Sequence, residues 1–171
     1  MVFLNTDTTT PPGAGAIEGA IGQIIIHPNY QPDVATSPNA NDFDIALVEI
    51  TAAVGLQPVS LLSAEAATID AGLEAIIMGW GTTAVDETNE SINSSDTLLQ
   101  ARQTIVDNST CLDIYIDGIT DNMICAGGST AVSTTDTCQG DSGGPLTIVS
   151  GNSFVQVGIV SFGGRGHDRY D

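Results

Sequence analysis

The sequence predicts an all-β fold. Three observations predict it: short apolar, β-branched runs recur along the chain, turn residues separate them, and only one stretch suits a helix. The runs fall at residues 23–26, 45–50, 75–78, 98–106, 145–149 and 154–162. Residues 107–115 are the stretch that suits a short helix, with Asp107 or Asn108 as its cap. Repeated short strands of this kind build barrels or sandwiches. Residues 58–72, weakly periodic and rich in Ala and Ser, read as a connection between two β units. Residues 33–41 and 84–95 are polar enough to be long surface loops, and no internal repeat is visible.

A chain of 171 residues is long enough for one large domain or two small ones. Twenty-one acidic residues stand against three arginines (Arg102, Arg165, Arg169) and no lysine, a net charge of -18. That field opposes binding to nucleic acid or to an anionic membrane. It suits solubility, a salty medium or cationic substrates. No apolar run is long enough to span a bilayer, and the first residues turn polar too soon for a signal peptide. Three triplets starting at Asn89, Asn93 and Asn108 fit the N-glycosylation pattern, which is common by chance in Ser/Thr/Asn-rich sequence.

The chemistry concentrates in Gly140-Asp141-Ser142-Gly143-Gly144-Pro145. Glycines around a serine allow positive φ and the close approach of a reacting carbonyl, and the proline prevents a helix from continuing the turn. The pattern also satisfies G-x-S-x-G, the nucleophile elbow of α/β-hydrolases, which demands a helix after the serine and then an acid and a histidine. Here Pro145 and a β-rich run follow, and the one downstream histidine, His167, lies near the end. The acid that fits lies upstream. Asp44 stands where a polar loop enters the apolar run 45–50, a place where a carboxylate can be buried beside an imidazole.

In order along the chain come His27-Pro28-Asn29-Tyr30, Asp44-Ile45-Ala46-Leu47, Gly79-Trp80-Gly81, Cys111, Met123-Ile124-Cys125-Ala126-Gly127, the glycine-serine turn and Gly158-Ile159-Val160-Ser161-Phe162-Gly163. In content and spacing this series resembles the chymotrypsin/trypsin family of serine endopeptidases. The resemblance implies a double antiparallel β-barrel. It implies Ser142 as nucleophile, Asp44 as the carboxylate that orients a histidine, and the N–H groups of Gly140 and Ser142 as an oxyanion hole. Asp141 would pair with an amino terminus freed by zymogen cleavage. Asp136, six residues before Ser142, would lie at the base of the primary pocket and select Arg or Lys. Ser161, Phe162 and Gly163 would bind substrate backbone. Cys111 and Cys125 would form a disulfide, which favours a secreted protein. No cofactor or metal is implied, and the expected partner is a protein or peptide substrate met by a monomer.

The family's general-base histidine has no counterpart here. His27 matches a non-catalytic family position, and His167 lies on the wrong side of Ser142. Cys138 lacks its expected partner near residue 167, while Ala75 and Ile148 together replace a second family disulfide. Truncation accounts for this: residues 1–57 would be the second half of barrel one, 58–72 the inter-barrel connection and 73–171 most of barrel two, together one peptidase domain. Such a chain alone should be a very poor catalyst. The rival reading is a baseless homologue acting as a binding or regulatory module, against which the joint retention of Asp44, Asp136, Asp141 and Ser142 speaks.

Overall fold

Strands form where apolar runs stand, because a ladder satisfies backbone N–H and C=O groups while one face packs away from water. The computed structural model describes residues 2–4, 6–8, 13, 15–32, 41–51, 55–63, 69–85, 91–113, 115, 118–127 and 136–163. β1 (Val2–Leu4) pairs antiparallel with β2 (Ile17–Gly19). β3 (Ile21–Ile26) pairs antiparallel with β4 (Ala46–Ile50). There follow β5 (Ser60–Leu61), β6 (Glu74–Gly79), β7 (Thr82–Val85), β8 (Ser91–Ser94) and β9 (Leu99–Val106). A short helix α1 (Asn108–Leu112) leads to β10 (Cys125–Gly127), β11 (Pro145–Ser150) and β12 (Ser153–Ile159).

Six of these strands make one sheet in the order β10-β9-β6-β11-β12-β5, antiparallel except where β5 joins β12 in parallel. The core lies on this sheet. Ala75 and Ile77 of β6, Ile105 of β9 and Leu146 of β11 are buried together, with Ile69, Ala101, Ile124, Ala126, Ile148 and Val157 packed against them. Ala75 and Ile148, the coupled replacements noted in the sequence, thus belong to one apolar cluster. Thr147 is also buried, and its hydroxyl donates to the Ile76 carbonyl at 3.0 Å, which gives that buried hydroxyl its partner.

The all-β expectation holds, with shifts at several elements. The run 154–162 stops as a strand at Ile159, because Val160 exchanges bonds with the serine turn instead of a neighbouring strand: Val160 N–H donates to the Gly144 carbonyl at 2.9 Å. The expected loop at 84–95 contains the end of β7 and all of β8, which pair with each other. Polar composition there marked exposure, and a backbone ladder needs no apolar side chains. The connection at 58–72 opens with β5, held to β12 by Leu62 N–H on the Gln156 carbonyl at 3.0 Å. Of the expected loop 33–41, only Asn41 lies among the described residues.

Candidate active site

The serine turn is built from two successive tight bends. Asp141 N–H donates to the Cys138 carbonyl at 3.1 Å, and Gly144 N–H to the Asp141 carbonyl at 2.9 Å. Gly140 at φ 97° and Gly143 at φ 81° occupy the left-handed region, where a side chain would be strained. Gly143 N–H then donates to the Val160 carbonyl at 2.8 Å, which pins the turn to the chain just before Ser161. Ser142 is left exposed at the apex. Among the described residues, no backbone bond employs the N–H groups of Gly140 or Ser142, the two donors expected to face a substrate oxygen.

Asp141 turns its carboxylate inward. One oxygen accepts from Gly81 N–H at 2.8 Å and the other from Cys138 N–H at 2.9 Å. Gly79 and Gly81 must be bare for this: a Cβ at Gly79 would lie 2.0 Å, and one at Gly81 2.5 Å, from Asp141 carboxylate atoms. Beside the carboxylate a cavity of about 260 Å³ opens, lined also by Asp136, Thr137, Thr82 and Leu99. Two amide bonds use only part of a carboxylate's acceptor capacity, so Asp141 can still take a cation.

Asp44, just before β4, meets the chain just after β12. Its Oδ2 accepts from the Ser161 hydroxyl at 2.6 Å, so the structure brings together a residue expected to act on the histidine and one expected to bind substrate. The loop that delivers Asp44 has an uncommon backbone, with Asn41 at φ 62° and Phe43 at φ 55°. Left-handed geometry costs a non-glycine residue about 1–2 kcal/mol. The loop is held by Asn41 N–H on the Gln31 carbonyl at 2.8 Å, Gln31 N–H on the Asp42 carbonyl at 3.2 Å and His27 N–H on the Ile45 carbonyl at 3.0 Å. His27 stacks on Phe43 with ring centroids 4.5 Å apart, and its Nδ1 accepts from Asn29 N–H at 3.2 Å. His167 falls outside the described residues.

A cleft of about 870 Å³ runs past this point, lined among others by His27, Asp44, Asp136, Ser161 and Phe162. Ser142, Gly140 and Gly163 stand outside its lining. Asp136 is exposed, with one carboxylate oxygen accepting from Thr137 N–H at 2.7 Å. Ser161, Phe162 and Gly163 follow β12 without being part of it, and Phe162 meets Tyr115 edge to face at 5.7 Å.

α1 and its disulfide brace the far side of the cleft. Cys111 and Cys125 are bonded, with Cα atoms 6.4 Å apart, as the resemblance implied. Cys138 is a free, partly buried thiol. Asp107 caps α1: hydrogen bonds from the Ser109 hydroxyl, the Thr110 N–H and the Thr110 hydroxyl hold its carboxyl below the ordinary carboxylate range, at about 2. Asn108 Nδ2 donates to the Thr120 and Met123 carbonyls, both at 3.4 Å, fastening the turn at 120–123 to the helix.

Among the described residues, no group of three His, Cys, Asp or Glu side chains is placed to hold a metal ion. Sequence reading passed over one buried acid. Asp42 has the same signal that singled out Asp44, an acid at the edge of an apolar strand, yet it is the more buried of the two.

Comparison with known proteins extends over nearly the whole chain. A family model described as Trypsin matches residues 2–170. Trypsin-1 of Astacus astacus is 34% identical over 148 residues, covering 84% of this chain and 56% of its own length. Transmembrane protease serine 5 of Homo sapiens is 33% identical over 155 residues, 89% of this chain and 31% of that protein. Vitamin K-dependent protein C of Mus musculus is 31% identical over 154 residues, 86% of this chain and 32% of that protein. The chain therefore spans from about a third to just over half the length of these relatives.

Proposed function

This chain belongs to the trypsin family of serine endopeptidases, and on that footing we propose that it carries the nucleophile, acid and specificity residue of a peptidase cutting after Arg or Lys. The observation that carries the reading is the path of bonds from acid to serine turn. Asp44 accepts from Ser161, and Val160, next in the chain, accepts from Gly143, next to Ser142.

In the proposed reaction the Ser142 oxygen bonds to the scissile carbonyl carbon while its proton passes to an imidazole. The N–H groups of Gly140 and Ser142 stabilise the oxyanion, and the imidazole returns the proton to the amine as the C–N bond breaks. Water then releases the acyl group by the same steps. Asp44 orients the imidazole and stabilises its charged form. That imidazole is proposed to come from polypeptide outside these 171 residues, since His27 is engaged with Phe43 and Asn29. The chain alone is accordingly a poor catalyst in this reading. Asp141, beside its cavity, is the proposed seat of a freed amino terminus that fixes the turn.

Asp136 lines the same cleft as Asp44 and Ser161, and an anion there favours a cationic side chain before the cut bond. Ser161, Phe162 and Gly163 are proposed to hold the substrate backbone. Residues 1–57 and 73–171 are read as the two β units of one peptidase domain. The disulfide suits an exported monomer, and the charge of -18 disfavours nucleic acid and anionic membranes as partners.

The test is turnover of peptide amides with Arg, Lys, Leu or Phe before the reporter, by the peptidase that carries this chain. Arg and Lys should be preferred, and Asp136→Ser should reduce that preference by about a hundredfold or more. Preference for Leu or Phe in the unaltered protein would refute the specificity. Absence of any turnover would favour the baseless homologue acting as a binding module.

A further inference from the structure

We propose that Asp42 is the residue that positions Asp44, by tying its loop to the turn at residues 120–122. The proposal rests on the reading of Asp44 as the orienting acid, but its geometry can be measured without catalysis.

Asp42 is buried, at 8% exposure, and its Oδ1 gathers three donors. They are Phe43 N–H at 3.0 Å, the Thr120 hydroxyl at 2.8 Å and Asn122 Nδ2 at 3.1 Å, with Asn122 also 3.4 Å from Oδ2. Thr120 and Asn122 are 78 and 80 residues away in sequence, so these bonds join the β3–β4 region to the unit that holds the six-stranded sheet. A buried carboxylate is costly unless its lone pairs are met, and here they are met mainly from across that boundary.

Position follows from two further facts. Asp42 stands between Asn41 and Phe43, both left-handed, a conformation that persists only where surroundings impose it. Asp44 is two residues on, and Ile45 N–H closes back on the Phe43 carbonyl at 2.7 Å, so a slip at Asp42 passes directly to Asp44. The anchor itself is firm. Thr120 is fastened to Asn108 of α1, and α1 to β10 by the Cys111–Cys125 bond. Asp44 is thereby gripped from two sides, by Ser161 directly and by Asp42 through the loop.

The experiment is NMR on the full 171-residue chain, following the cross-peaks between Asp44 and Ser161 and the carboxyl carbon shift of Asp44. Asp42→Ala should abolish the cross-peaks and shift the carbon while the β11 and β12 amide signals stay in place. Asn122→Ala, a change at an exposed residue, should weaken the cross-peaks even if Asp42→Ala fails to fold. Asp42→Asn should largely retain them, because Oδ1 still accepts and Asn122 can turn its amide to accept in return. Unaltered cross-peaks in folded Asp42→Ala, or in Asn122→Ala, would overturn the proposal. An unreactive serine in the peptidase that carries this chain, together with cross-peaks that depend on Asp42, would refute the catalytic reading and support the positioning.

Discussion

In the six-stranded sheet Ala75, Ile105 and Leu146 are 0%, 3% and 6% exposed, whereas in the β3–β4 pair Ile24, Ile26 and Leu47 are 60%, 60% and 65% exposed. Both regions have strongly apolar strands, and the first exposes Leu61, Leu99, Val149 and Phe154 too, yet among the described residues only the first has buried apolar side chains. The sheet of β6, β9 and β11 therefore holds itself by burial. The β3–β4 pair has its own ladder, and the loop before β4 makes polar bonds to Thr120, Asn122 and Ser161 through Asp42 and Asp44. Asp44 thus belongs to the region with little core of its own, and Ser142 to the region with a core.

Paired substitutions test that contrast. Leu146→Ala should cost about 3 kcal/mol in urea unfolding, by lost transfer energy and the cavity left behind. Leu47→Ala, on a side chain already in water, should cost less than about 1 kcal/mol. Equal costs would mean that the β3–β4 surface is covered in solution and would erase the difference. Reduction of the Cys111–Cys125 bond, which closes a loop with a sequence separation of 14, should cost about 3 kcal/mol in the chain-entropy account. It should also speed amide exchange in the turn at 120–123, measured by NMR, before it affects β11 and β12.

Smaller effects come from exposed charges. Asp107→Ala should lower Tm by a few degrees, through loss of the α1 cap. The folded carboxyl titrates at about 2, below the ordinary value of about 3.9. Its contribution is therefore present above about pH 4 and fades as pH falls through about 2, so the Tm gap between the two proteins should close over that window. A gap that grows on acidification would contradict the cap. Arg102→Ala should change stability by no more than about 0.5 kcal/mol, since Arg102 and Glu74 pair with side chains 72% and 58% exposed.

Much of this architecture was legible in the sequence, for local reasons. The long apolar runs became β3, β4, β6, β9, β11 and β12, and the Asp107 cap declared α1, because periodicity and capping act over a few residues. β8 and β10 were not legible: Ser91–Ser94 and Cys125–Gly127 are short and lack an apolar signature, and they exist through their partners β7 and β9. The serine turn announced itself through Gly140 and Gly143, which its backbone requires. Asp44 stood out by its place at the start of an apolar run, but its bond to Ser161 lies across 117 residues, and the Asp42 ties across 78 and 80. One sequence contains nothing that brings such distant residues together, which is why Asp42 emerged only from the folded structure.

The most direct measurement of the central claim is intact-mass titration with an arginine-bearing phosphonate, a reagent that forms a covalent adduct only with an activated serine. It would be run on this chain and on the protein expressed together with the coding sequence upstream of Met1. The predicted result is one adduct per molecule of the longer protein, mapped to Ser142 and absent after Ser142→Ala, with little or none on the 171-residue chain. No adduct in either protein, or an adduct that survives Ser142→Ala, would contradict the assignment of Ser142 as the nucleophile.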